Sequence, residues 1–442
     1  MEEISVDEGI SRGMTSLLTD RLVLLAGAGL SMAPPSSLPS AAAIAQSAKQ
    51  KYDAMFCPGQ PPLPSDIDAQ AQYFFDRGEL ATVYFRTLID KNAFAAPPNS
   101  GHYGIADLLL VRAIQTAITT NVDTMVETAA QMLFGQVAAA IDGLSAAAFR
   151  PDESPLLKLH GCRNVDPKNM VWALGQIAAP PVSERIESST NWLRARLIDR
   201  DLLIVGYSTD WDYLNDILAG TLGTANPASV LVVDPASGQD FAQKAPELFA
   251  LGQKAGINFR HVRASGADYL DGLRRSFSKS YLRQVLSDGQ ELYQQQYGVP
   301  PNPDWFEAPN LSNEALWSLR RDLEGCLPNK PASERSPTAG QLLGLTILQL
   351  QARGAAAEGQ HWLLGDRRIR VVRAGNMALH TVAAAYSRES APSIVPDIVI
   401  AVGAENVGLP SNIVRSGSST TIARGSPGHW LTRQEAIQEF GL

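Results

Sequence analysis

The stretch Leu22-Val-Leu-Leu-Ala-Gly-Ala-Gly-Leu-Ser31 decides the fold. Its four leading residues are apolar at consecutive positions, the pattern of a strand buried on both faces of a parallel sheet. The small-residue turn that follows leads into a helical segment. Glycines at such a turn let the backbone approach a pyrophosphate, whose charge meets free backbone N–H groups and the helix dipole. The third glycine of the usual dinucleotide fingerprint is missing, so the same stretch also reads as a small-residue turn made for packing.

Outward from this stretch, similar short runs recur between helix-length segments: Ile114 to Thr119, Leu156 to Leu159, Leu202 to Val205, Val230 to Val233 and Phe259 to Val262. Their alternation with helices predicts an α/β fold with a doubly wound, mostly parallel, Rossmann-like sheet. Nearly ninety residues separate the first two runs, more than one crossover helix needs. Helical patterns at Ala41 to Tyr52, Asp66 to Asp76 and Glu79 to Asp90 predict a helical insertion, about 41–100, standing over the end of the sheet. A long helix is expected from about Asp268 to Gln296. The Pro-rich stretches Pro300 to Pro309 and Pro328 to Pro337 flank a short helical piece and read as a linker. The expected organisation is a nucleotide-binding domain over 1–285, a linker over 286–338 and a smaller C-terminal α/β domain over 339–442. The last has helices at Gln341 to Arg353 and Met377 to Ser387 and strand-like Ile369 to Val372, Asp397 to Val402 and Thr420 to Ala423.

Composition narrows the function classes. The 442 residues are 45% hydrophobic and 19% charged, which is globular and excludes wholesale disorder. A net charge of −8 argues against gripping duplex nucleic acid as the main task. The sign is uneven: from Ala339 onward there are nine Arg, no Lys and seven acids, a balance of +2, which leaves −10 on the first 338 residues. Cys57, Cys162 and Cys326 are far apart and in no C-x-x-C spacing, so neither a disulfide framework nor a cysteine-rich zinc site is expected. The acidic N-terminus is unlike a signal peptide, and the longest apolar run, Leu22 to Leu30, is too short to span a membrane. A cytoplasmic protein is expected.

The strand ends carry the chemistry. The second run ends in Thr119-Thr-Asn-Val-Asp123 with Glu127 one helical turn on, and the third in Lys158-Leu-His-Gly161. The fourth ends in Gly206-Tyr-Ser-Thr-Asp210 and the fifth in Asp234-Pro235. Polar residues at the carboxyl ends of buried strands face the crevice where open α/β sheets bind ligands. Each has a structural alternative: Asn121 or Asp123 as a cap on the next helix, and His160 as a satisfied, half-buried ring. Five polar or small strand ends in a row are harder to obtain from independent caps.

Gly27-Ala-Gly-Leu-Ser31, Thr120-Asn-Val-Asp123, His160-Gly161 and Gly206-Tyr-Ser208, in that order, resemble the sirtuin NAD-binding domain over roughly Leu22 to Phe277. With His102-Tyr-Gly-Ile-Ala-Asp-Leu leading into the Asn-Val-Asp motif and Glu127 after it, the chain looks most like the sirtuin-like NAD hydrolases of bacterial anti-phage defence. The resemblance implies NAD contacts from Gly27, Ala28, Gly29, Ser31, Thr120, Gly206, Ser208 and Asp234. Among them Gly27, Gly29 and Ser31 would hold the pyrophosphate, Gly206 and Ser208 would line the nucleotide, and Asp234 would accept from the adenosine ribose hydroxyls. Asn121 and Asp123 would fix the nicotinamide ribose and the attacking water, with His160 as general base. Family deacylases carry a four-cysteine zinc module after the catalytic His-Gly; here Cys162 is the only cysteine between His160 and Cys326. No Asp-Phe-Arg element follows the glycine turn. The resemblance thus implies NAD cleavage with NAD as substrate and no zinc, rather than removal of acyl groups from lysine.

Two other classes stay open: a catalytically idle sensor of NAD or ADP-ribose, and an assembly subunit. The expected partners are further copies of the chain, or a sensor or activator protein such as a HerA-type ATPase or a short Argonaute, with neither nucleic acid nor membrane bound directly. In the C-terminal domain, Arg367, Arg368, Arg370 and Arg373 read as a solvated face, and Gly403-Ala-Glu-Asn-Val-Gly408 as a turn. His361, His380 and His429 share no ligand spacing.

Overall fold

A computed structural model describes the chain except residues 56–60, 134, 151–152, 208–211, 226–228, 254–257, 308, 326–336, 387–394 and 406–427. Ser208, Cys57, Cys326, most of Pro328 to Pro337, the end of the Gly403 to Gly408 stretch and the strand-like Thr420 to Ala423 therefore lie outside the described residues. Two units are distinguished, Met1–Leu273 and Arg274–Leu442, and the division falls within the helix Gly266–Tyr297.

The first unit is built on eight strands: β1 Glu2–Ile4, β2 Leu22–Ala26, β3 Thr116–Thr119, β4 Ala138–Ala140, β5 Pro155–Lys158, β6 Asp201–Val205, β7 Val230–Asp234 and β8 Phe259–Arg263. They form one sheet in the order β1-β8-β7-β6-β2-β3-β5-β4, every pairing parallel. This is the doubly wound α/β architecture the apolar runs predict. Both faces are covered: every residue of β2, β3, β5 and β7 is buried. One face packs Val23, Leu25, Ile118, Leu157 and Ile204 against Trp192, Leu193 and Leu197 of the helix Val182–Leu197. Full burial of each such side chain stabilises by roughly 1.5–3 kcal/mol.

The winding reverses at β2. From there the chain proceeds through β3 to β5 and β4 on one side, then returns to β6 on the other. Carboxyl ends of strands at such a reversal form the crevice of open α/β sheets. Over this edge stands the insertion, comprising the helices Ala41–Met55 and Ile67–Phe75 and the π-helical Leu80–Leu88. It has a core of its own, in which Phe74 stacks on Tyr84 with centroids 5.3 Å apart. That core also takes in Val122, Met170 and Trp172 from the segments that follow β3 and β5.

The second unit holds a five-stranded sheet of β9 Ala356–Glu358, β10 His361–Leu364, β11 Arg367–Arg373, β12 Ile398–Val402 and β13 His429–Thr432. Its order is β13-β12-β11-β10-β9, with β9 to β11 antiparallel and β11 to β13 parallel. Ile369, Val371, Ile398 and Ile400 pack against Leu319 and Leu323 of the helix Asn313–Glu324 and Leu343 and Ile347 of the helix Pro337–Ala352. On the opposite face Val372, Val399 and Ala401 meet Val382, Ala383 and Tyr386. The basic cluster is not one solvated face. Arg370 is only 4% exposed and makes two 2.7 Å bonds to the Asp322 carboxylate, since β11 is covered on both faces.

Candidate active site

The site begins with a close approach of two turns. Gly27, after β2, and Gly206, after β6, lie at the reversal of the sheet, and Gly206 has φ +60°. A side chain at Gly27 would stand 2.5 Å from the Gly206 carbonyl oxygen, and one at Gly206 would stand 2.4 Å from the Leu30 nitrogen. Only glycine permits that approach. The N–H groups of Gly27 and Gly29 donate to Val205 and Gly206 carbonyls at 2.9 and 2.8 Å. They are thus engaged within the protein, and the expectation of free donors for a pyrophosphate does not hold at these two residues. Ala28 and Gly29 are exposed at this edge.

The close approach sets the 3₁₀ turn Ala28–Met32 and buries Ser31. Ser31 is a hub. Its Oγ accepts from Asn121 Nδ2 at 3.0 Å, donates to Asp123 Oδ2 at 2.9 Å and lies 3.1 Å from His102 Nε2. The His102 tautomer follows from its other nitrogen, since Nδ1 accepts the Asn99 backbone N–H at 3.1 Å. The ring proton of the neutral imidazole is therefore on Nε2 and is donated to Ser31. A hydroxyl has one proton and two lone pairs, and all three are used. Burial lowers the His102 pKa to about 4, against a smaller opposing pull from Asp123, so the ring is neutral at physiological pH. With its Nε2 donating, His102 is unable to take the Ser31 proton, and a Ser–His–Asp nucleophile arrangement is not set up.

His102 is held by the start of its own helix, Ser100–Leu110. Asn99 caps it, its Oδ1 accepting from the Gly101 and His102 N–H groups, while His102 stands where a capping box ordinarily has Glu or Gln. Asn99 Nδ2 donates to the carbonyls of Leu30 and Ala33 at 2.8 and 3.1 Å, tying this helix to the Ser31 turn.

Beyond β3, the Asn121 N–H donates to Thr119 Oγ1 at 3.0 Å, and the Thr120 N–H donates to the Ala26 carbonyl at 3.1 Å. The Ser31 proton goes to Asp123, so only the Asn121 amide nitrogen can face Ser31. Asn121 Oδ1 then points elsewhere, and this buried oxygen has no hydrogen-bond partner among the described residues. Asp123 serves two roles, because its Oδ1 also accepts from the Met125 N–H at 3.1 Å at the start of the helix Met125–Met132. Asp123 thus braces the start of this helix, whose N-cap is Thr124, while also taking the Ser31 proton.

His160 comes two residues after Lys158, as Asn121 comes two after Thr119, and Thr119 pairs with Lys158 between β3 and β5. The two candidate catalytic residues thus follow neighbouring strand ends. Burial first, and the Arg185 guanidinium second, hold the His160 pKa well below the usual imidazole value, leaving a neutral ring. Beneath the pair lies Lys158, 1% exposed, whose Nζ donates to Glu127 Oε1 at 2.7 Å and to the Asp123 carbonyl.

Asp234, at the end of β7, is buried with both oxygens engaged. Oδ1 accepts from the Ala236 N–H and Oδ2 from Lys244 Nζ, each at 2.9 Å. Each oxygen keeps a second acceptor position, so the ion pair with Lys244 does not by itself bar a ribose hydroxyl. Ser208 lies outside the described residues. The structure therefore joins Ser31, Asn121 and Asp123 into one network, puts Gly27, Gly29 and Gly206 into the turns beneath it, and sets Asp234 in a separate ion pair. Asn99, His102, Glu127 and Lys158 belong to the network without having been assigned from sequence. For NAD the fit is uneven. The Asn121 Oδ1, unpartnered among the described residues, and the exposed Ala28–Gly29 turn suit a ribose and a phosphate approached by backbone, whereas the Gly27 and Gly29 N–H groups are already occupied. Among the described residues no group of three or more His, Cys, Asp or Glu is placed to hold a metal. No helix among them is long and apolar enough to cross a membrane.

Comparison with known proteins gives no match among curated sequences. A crystal structure of a Sir2 homologue in complex with NAD is 15% identical, with a TM-score of 0.38, covering 61% of this chain and 94% of that one. A mutant Sir2 homologue in complex with ADP-ribose is 15% identical, with a TM-score of 0.35, covering 61% and 96%. A structure described as the structural basis for the mechanism and regulation of Sir2 enzymes is 14% identical, with a TM-score of 0.34, covering 60% and 94%. Residues 115–255 match the family model of the SIR2-like domain, a span that contains Asn121, Asp123, His160, Gly206 and Asp234 but neither the Ser31 turn nor His102.

Proposed function

We propose that the first unit hydrolyses NAD at the nicotinamide–ribose bond, consuming one water and releasing ADP-ribose and nicotinamide. The observation that carries this reading is Asn121, a buried amide whose oxygen is left unpartnered at a strand end next to the one that leads to His160. The match of the same segment to the SIR2-like domain supports it. Bond cleavage at such a centre passes through an oxocarbenium-like transition state, as in glycoside hydrolysis. Asn121 Oδ1 is the acceptor for a ribose hydroxyl or water. Ser31, itself fixed by His102 and Asp123, keeps the Asn121 amide from turning over. His160, a neutral ring, takes the proton of the attacking water, a role that typically contributes ~10²- to 10⁴-fold.

Within the same proposal, the enzyme is an anti-phage defence effector that depletes NAD on activation, restrained as an oligomer or by a sensor or activator protein. The motif resemblance supports that role.

Purified protein, with its activator where one is needed, is expected to convert NAD to ADP-ribose and nicotinamide. Asn121→Ala and His160→Ala should each reduce turnover by ~10²-fold or more. Undiminished turnover in either variant would sink the mechanism. Saturable NAD binding without product under every activating condition would instead indicate a sensor.

A further inference from the structure

Among the described residues, Asn121 Oδ1 and Glu127 Oε2 are buried acceptors without a hydrogen-bond partner. Lys158 Nζ directs two of its three N–H groups, one to Glu127 Oε1 and one to the Asp123 carbonyl. The three residues line one cavity, together with Thr119, His102, Asp123 and apolar neighbours. Its room is about 10 Å³, that of one water-sized sphere. We propose that this cavity is a site for a single fixed water, which accepts from Lys158 and donates to Asn121 Oδ1 and Glu127 Oε2.

The chemistry of the lining selects the occupant. A cation would meet the Lys158 ammonium, and an anion would meet the Glu127 carboxylate. Two acceptors around a one-water volume take both protons of a water and the one donor takes one of its two lone pairs, and three partners is the usual number for a buried water. Leaving the two acceptors bare carries the desolvation penalty of an unmade hydrogen bond at each, which the water removes. An amide oxygen has two acceptor positions, so one remains for substrate. Lys158 and Glu127 thereby become positioning residues: they act on the candidate chemistry through the water, which holds the Asn121 amide from the side opposite Ser31.

The water is independent of the NAD reading; its consequence for turnover rests on that reading. A crystal structure of the full chain, at a resolution that orders internal waters, should show density about 2.7–3.1 Å from Lys158 Nζ, Asn121 Oδ1 and Glu127 Oε2. A dry cavity, or protein donors reaching both acceptors, overturns the proposal. Glu127→Gln, of nearly equal shape, replaces an acceptor with a donor. It should lower kcat for NAD about tenfold with KM within about twofold. An unchanged kcat overturns the positioning role. Should Glu127→Gln misfold, Lys158→Met, which removes the donor, should abolish the water density, and its persistence there counts against the site. Absence of NAD turnover in the wild-type protein would refute the hydrolase, and the density would still decide the water.

Discussion

Ser31 is a small side chain on which three others depend, and the dependence is testable at His102. His102 does two things: Nδ1 completes the capping box with the Asn99 N–H, and Nε2–H donates to Ser31. Glutamine is an ordinary capping-box partner, so His102→Gln preserves the first task and gives up the second, whereas His102→Ala gives up both. The alanine variant should therefore unfold at lower urea than the glutamine variant, by about 1 kcal/mol or more. Equal midpoints would mean that the capping contact contributes nothing. At this scale the sequence was legible only in part. Asn121 and Asp123 stand out because polar residues at the end of an apolar strand have few structural reasons to be there. His102 and Lys158 fall within quoted motifs but receive no role there. The first lies nineteen residues before Asn121 in a helix start, and nothing in the sequence shows that the ammonium of the second is buried between Glu127 and the Asp123 carbonyl.

At the scale of elements, the two glycine turns at the β2/β6 reversal fix where the network forms. Gly206 combines φ +60° with backbone atoms inside contact distance of any side chain, whereas Gly78, with φ +70°, has nothing within 4 Å. Gly78→Ala should therefore cost only the left-handed backbone term, about 1–2 kcal/mol. Gly206→Ala must also push the Gly29–Leu30 peptide away from the Gly206 turn, and should cost about 3 kcal/mol or more. Thermal unfolding of the two variants measures the difference, and equal losses would show that the close approach is not required. The packing alternative for the Gly27–Ser31 stretch thus describes what Gly27 and Gly29 do, where the phosphate reading assumed free donors. The six central strands were legible, most plainly β2, β6 and β7, where burial on both faces writes consecutive apolar residues. β1 and β4 were not. Each is three residues long at an edge of the sheet, and Glu2-Glu3-Ile4 and Ala138-Ala-Ala140 pair with a single neighbour, which needs no such run. In the second unit Arg370 was misread as solvated because its partner Asp322 sits forty-eight residues away on a helix.

For the molecule as a whole, the buried imidazoles make stability a function of pH, and unequally so in the two units. Desolvation lowers the pKa of His102 to about 4 and depresses those of His160 and His261 in the first unit, and lowers that of His361 to about 4 in the second. Each ring is neutral when folded but takes up a proton near 6.5 when unfolded, so the unfolded chain binds more protons as the medium acidifies. The stability contributed by keeping these rings neutral is fully present above pH 6.5 and is lost as pH falls toward the folded-state values. Within that window one such histidine contributes up to about 1.4 kcal/mol per pH unit. Three in the first unit against one in the second predict that Met1–Leu273 weakens more steeply than Arg274–Leu442 as the pH is lowered from 6.5 toward about 5, above the range where most carboxylates titrate. Peptide-resolved hydrogen exchange across a urea series, corrected for the intrinsic pH dependence of exchange, measures each unit separately. The first unit's midpoint should fall faster, and parallel falls, or an earlier loss of the second unit, would mean that the depressed histidines do not govern acid stability.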